Sequence, residues 1–149
     1  MTFGVGGLTV VLAAVLVARR QIRAAAFLVG AVGGAVVLSS VGKELVQRPP
    51  IEGPPDEYSF PSGSSTWVMA TVVALTLLAA GRRRQVVAAT GLAIGVAYCA
   101  VLTFEQWHYP SDVLAGWCLA LAWVAALWLV LCGRRGRTAA GERPPSRSG

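Results

Sequence analysis

The sequence predicts an all-α integral membrane helical bundle of about five transmembrane helices, with its N-terminus outside and its C-terminus cytoplasmic. Three observations predict it. Of 149 residues, 55% are hydrophobic and only 13% are charged, and the mean hydropathy is +0.61, whereas a soluble domain carries roughly a quarter charged residues. The apolar residues gather in five runs, at about 3–18, 24–42, 64–80, 86–104 and 111–132. The basic residues sit almost entirely in alternate connections between those runs.

A helix needs about 17–25 residues to cross the hydrocarbon core. The first run is at the short limit of that range. It has no Lys or Arg before it, and Arg19 and Arg20 follow it. A secretory signal has the opposite charge order, so the run reads as a span. The second run is long enough and carries Gly30, Gly33 and Gly34, which suit close helix approach. The third fits once Ser64, Ser65 and Thr66 are counted. The fourth holds Gly91 and Gly95 in a small-xxx-small spacing, and the fifth is long enough throughout. None alternates as a barrel strand would. Cys99, Cys118 and Cys132 lie in or beside apolar runs with no metal spacing, and read as small hydrophobes.

Topology follows from the loops. Arg19, Arg20 and Arg23 fall between runs one and two, and Arg82, Arg83 and Arg84 between runs three and four. Arg134, Arg135, Arg137, Arg143 and Arg147 follow run five. With five alternating spans these 11 of 13 basic residues share one side, which the positive-inside rule makes cytoplasmic. The formal charge of +6 is therefore a topology signal and implies no nucleic-acid partner. The chain divides into a membrane domain at 1–137 and a disordered cytoplasmic tail at 138–149, rich in Arg, Pro and Ser.

Six of the seven acidic residues, Glu44, Glu52, Asp56, Glu57, Glu105 and Asp112, fall on the outer side with Lys43, Arg48 and His108. Three segments there lie at helix ends: Lys43 to Pro49, Phe60-Pro61-Ser62-Gly63-Ser64, and His108-Tyr109-Pro110-Ser111-Asp112. Runs three and five point their helix N-termini at this face, which suits a phosphate, and Lys43 and Arg48 add cations. The plain reading of the Ser-rich start of run three is an ordinary helix cap. His108, the single histidine, lies four residues before Asp112, with Pro110 placed as the first helical residue. A carboxylate there would fix the imidazole tautomer and leave the other nitrogen free to attack. A transporter or channel would carry polar residues in mid-membrane, and the runs hold almost none.

These residues resemble the type 2 phosphatidic acid phosphatases, membrane lipid phosphatases related in fold to vanadium haloperoxidases. Their pattern is Lys-x6-Arg-Pro, Pro-Ser-Gly-His, and Ser-Arg-x5-His-x3-Asp. Phe60-Pro61-Ser62-Gly63 is similar to the middle motif, the run from His108 to Trp117 to the last, and Lys43 with Arg48-Pro49 to the first. The resemblance covers about residues 24–130. It implies that His108 attacks phosphorus to form a phosphohistidine, that Asp112 orients it, and that Lys43, Arg48, Ser62, Gly63 and Ser64 bind phosphate. It implies no metal and no cofactor.

The sequence departs from the pattern at four points. Ser64 stands at the general-acid His, Val101 and Leu102 stand at Ser-Arg, four residues rather than six separate Lys43 from Arg48, and one span fewer than the usual six is present. General acid catalysis contributes about 10²–10⁴ in rate. Glu105, one loop turn before His108 among apolar and aromatic neighbours, is the candidate substitute acid. Two functions stay open. One is a phosphatase acting on phosphate or diphosphate lipids, phosphatidic acid or polyprenyl phosphate, at the outer leaflet of the plasma membrane. The other is a catalytically inactive relative that binds lipid phosphate or a partner protein. Self-association or a partner helix would complete a bundle one span short.

Overall fold

The computed structural model describes residues 2–51, 58–105 and 108–141, with side chains described at 7–51, 58–105 and 108–131. Five helices follow one another: α1 (Thr2–Ala18), α2 (Ile22–Val46), α3 (Gly63–Leu78), α4 (Arg82–Phe104) and α5 (Pro110–Gly141). Among the described residues there is no strand. The all-α expectation is met, and the five runs map onto the five helices. Three helices, α2, α4 and the Pro110–Leu131 part of α5, are long and apolar enough to cross a membrane. α1 and α3 are shorter, at 17 and 16 residues. At 1.5 Å per residue α3 is about 24 Å long, less than the roughly 30 Å hydrocarbon core. α5 continues to Gly141, four residues into the expected tail. The rest of that tail, 142–149, lies outside the described residues.

α3 is the central helix, packed against α2, α4 and α5, with α1 against α2. The core between α2, α3 and α5 holds Leu28, Ala31, Ala35, Ala70, Ala74, Ala120 and Val124, all fully or almost fully buried. Small residues dominate because the helices run close together. Gly34 lies under the Trp123 ring, and the Trp123 indole N–H donates to the Gly30 carbonyl at 3.1 Å. Gly91 faces the Val72 side chain and Gly95 faces Val68, so the small-xxx-small spacing does seat α4 on α3. Gly33 meets open space, so the expectation of close approach fails there: it lies on the outward side of α2.

Large apolar side chains such as Val29, Val37, Ile94, Leu114 and Leu129 are more than half exposed. A bundle with its apolar residues outside as well as inside suits lipid as solvent.

Helix ends carry the local logic that positions the site. α2 stops at Gln47, whose left-handed backbone (φ 50°) returns its N–H to the Lys43 carbonyl. Pro49 and Pro50 then prevent continuation. α3 starts on Ser62, whose hydroxyl accepts the Ser65 N–H. α5 starts on Pro110. Its third residue, Asp112, reaches back so that Oδ2 accepts the Tyr109 N–H at 3.3 Å, the carboxylate half of a capping box.

Candidate phosphate-handling site at the helix ends

The C-terminal end of α2 and the N-terminal ends of α3 and α5 meet, as the sequence predicts. The Ser62 N–H donates to the Asp112 carbonyl at 3.0 Å, which joins the two helix starts through the backbone. Gly116, one turn further along α5, is the reason they can touch. A Cβ there would lie 2.7 Å from the Ser62 carbonyl oxygen and 2.8 Å from Thr66 Oγ1.

The buried hydroxyl groups here are partnered. Ser65 Oγ donates to Ser62 Oγ at 3.0 Å, and Thr66 Oγ1 donates to the Ser62 carbonyl at 2.8 Å. Ser39 Oγ reaches the Pro61 carbonyl at 3.4 Å. Ser59 donates its N–H to the Arg48 carbonyl at 2.9 Å and its hydroxyl to the Pro49 carbonyl at 3.2 Å. Ser39, Ser59, Ser62, Ser65, Thr66 and Asp112 are all buried. A buried polar group left without a partner costs about 1–3 kcal/mol, so this arrangement fixes its members tightly.

Asp112 is the centre. Its Oδ1 accepts from Arg48 Nη1 at 2.9 Å, and the same nitrogen donates to Ser111 Oγ at 2.9 Å. The Arg48 guanidinium also lies over the Tyr109 ring, 4.0 Å from its centroid, a cation–π placement. His108 is close but not bonded: Nδ1 is 4.0 Å from Asp112 Oδ2 and is buried without a partner. The expected His108–Asp112 hydrogen bond is therefore not formed, because Tyr109 N–H and Arg48 hold both carboxylate oxygens. Closing the gap to hydrogen-bond length takes about 1 Å.

Burial holds the His108 pKa below its ordinary value, and the nearby Lys43 charge pushes it the same way. Asp112 and the Ser59 backbone oppose both. The neutral ring is thus favoured at neutral pH, and a neutral ring is the nucleophilic form.

Of the residues singled out from sequence, Lys43, Arg48, Ser62, His108 and Asp112 come together. Arg48 and Ser62 are already engaged with Asp112 in this structure. Gly63 and Ser64 are partly exposed in the first turn of α3. Glu105 caps the C-terminal end of α4 and is exposed. Its expected aromatic neighbour Trp107 lies outside the described residues, and among the described residues no hydrogen bond or ion pair ties Glu105 to His108. The loop acids Glu52, Asp56 and Glu57 lie outside the described residues. Sequence reasoning missed Ser59, Tyr109, Ser111 and Gly116 as site-building residues. The last three sit inside the run from His108 to Trp117, so that run held the signal.

The PAP2 superfamily model matches residues 24–135, from the first turn of α2 deep into α5. The chain belongs to the PAP2 superfamily. No curated protein and no solved structure matches the chain. Membership carries the general class of activity, phosphatase action on lipid phosphates, and the PAP2 match takes in every candidate site residue from Lys43 to Asp112.

Proposed function

We propose that this PAP2 protein is a lipid phosphatase that takes phosphate or diphosphate lipids, of phosphatidic acid or polyprenyl type, at the outer leaflet of the plasma membrane. The observation that carries the reading is the placement of a largely buried His108, its Nδ1 4.0 Å from the buried Asp112 carboxylate, near Lys43. In the proposed reaction His108 Nε2 bonds to phosphorus as the bond to the lipid oxygen breaks, and that oxygen keeps the electron pair. Asp112 stabilises the imidazolium-like ring through Nδ1, and Lys43 balances the phosphoryl charge. Water then attacks phosphorus, the N–P bond breaks, and phosphate leaves. Ser64 supplies no general acid, so a diphosphate lipid, whose leaving group is itself a phosphate, suits this site better than a monoester.

A second reading, an inactive relative that binds lipid phosphate or a partner protein, is favoured by one observation. Arg48 is held by Asp112, Ser111 and Tyr109 instead of standing open to a ligand. Phosphate release from a panel of lipid mono- and diphosphates by the full chain in detergent, beside His108→Ala, separates the two. An active enzyme loses at least about 10³-fold in the variant. Release equal in both proteins for every lipid leaves the binding role.

A further inference from the structure

A groove of about 840 Å³ opens at the end of the bundle opposite His108. Its walls are Phe27 and the first turns of α2, Leu78 at the end of α3, and Leu127 and Trp128 on α5; Arg20 and Arg23 stand at its mouth. The lining is predominantly apolar, and its size falls within the roughly 300–1,000 Å³ of ligand sites. Phe27 and Trp128 meet edge to face, 5.3 Å between centroids, and give it a rigid wall.

Both arginines are exposed, and neither forms an ion pair among the described residues. The acidic residues among those described, Glu44, Glu105 and Asp112, lie toward the other end. The turn between α1 and α2 holds Arg20 in place. Its N–H donates to the Val17 carbonyl and the Gln21 N–H to the Leu16 carbonyl, both at 2.8 Å, with Arg20 at φ 58°. That is the helix-ending turn in which glycine or asparagine usually takes the left-handed position. Here an arginine takes it, at the lip of an apolar groove.

We infer that this groove binds one anionic phospholipid of the leaflet bordering the arginine-rich end, its acyl chain along Phe27, Leu127 and Trp128 and its headgroup phosphate between Arg20 and Arg23. Charge complementarity selects the occupant. An apolar channel with a doubly cationic mouth and, among the described residues, no carboxylate in its lining matches a chain that ends in a net negative headgroup, and a zwitterionic lipid gains less. The site is separate from the proposed reaction and does not depend on it.

Native mass spectrometry of the full chain in detergent tests this with dioleoyl phosphatidylglycerol against dioleoyl phosphatidylcholine. One phosphatidylglycerol is expected to be retained with a preference of roughly ten- to thirty-fold, the scale two arginines give an anionic headgroup. Arg20→Gly with Arg23→Gln should reduce retention to the phosphatidylcholine level. Glycine suits the left-handed turn, so that loss is not a loss of fold. Leu127→Trp, which fills the groove, should lower retention of phosphatidylglycerol. Equal retention of the two lipids, or a preference that survives the double variant, overturns the proposal. So does a lipid-free dimer that the Leu127→Trp change splits, which would make a second copy the occupant.

Discussion

The two ends of this bundle handle polarity in opposite ways. At the His108 end six polar or acidic side chains are buried, and hydrogen bonds tie one helix start to the next. At the other end the charges are exposed arginines around an open apolar groove. The difference follows from what water can reach. A carboxylate with no exposed surface must have its partners built in, so Asp112 fixes Arg48, Tyr109 and, through its carbonyl, Ser62. Exposed arginines need no partners and constrain nothing around them. The first end is therefore built for fixed geometry, and the second leaves its cations free to adjust.

That contrast is sharpest when one cation is removed from each end. Arg48→Ala leaves the Asp112 carboxylate buried with only the Tyr109 N–H. Breaking a buried pair costs roughly 3–5 kcal/mol, and because Arg48 is about a third exposed the lower end of that range is expected. Arg23→Ala, at an exposed position, should stay within about 0.5 kcal/mol of the parent. Thermal unfolding in one detergent measures both. Equal midpoints for the two variants would break the comparison, since Asp112 would then not rely on Arg48.

A smaller effect separates two helical glycines. Gly116→Ala places a methyl group against the backbone carbonyl of Ser62 and against Thr66. It must push α5 away from the start of α3, at about 1–3 kcal/mol for overpacking, and should weaken phosphate release with it. Gly33→Ala meets open space and should stabilise α2 by up to about 1 kcal/mol, because alanine is the better helix former. Opposite signs in the unfolding midpoint are the expected result. A harmless Gly116→Ala would show that the Ser62–Asp112 contact yields easily.

Much of this was legible in the sequence. Apolar run lengths located all five helices to within a few residues at most ends, because helix length and turn residues act locally. The meeting of Lys43, Ser62 and His108 was also legible, since alternating helices put those ends on one side. Partner choice was not. A sequence spacing of four makes Asp112 a neighbour of His108, but it cannot tell that Tyr109 N–H and Arg48 take the carboxylate first. The groove was invisible for the same reason: Arg20, Leu78 and Trp128 are far apart in the chain, and only packing gathers them.

The last contrast is in pH. Arginines stay charged throughout the physiological range, so lipid retention at the groove should be flat between about pH 5 and 8. His108 titrates there, and burial together with Lys43 lowers its pKa. The sign follows directly. The ring is neutral above its lowered pKa and protonated below it, so nucleophilic activity should hold steady above about pH 6.5 and fall tenfold per unit once pH drops through the lowered value. Folding stability moves the same way: the unfolded chain binds the proton more readily, so the contribution of His108 is present above the unfolded value and lost as pH falls through the folded one. Because His108 is the chain's single histidine, one imidazole resonance in a tag-free, histidine-labelled sample reports it without interference from substrate phosphate. A midpoint above 6.5 would mean that Asp112 and the Ser59 backbone outweigh burial and Lys43, and one above 7 that the ring is mostly cationic at neutral pH and the His108 end a phosphate-binding site instead of a nucleophilic one.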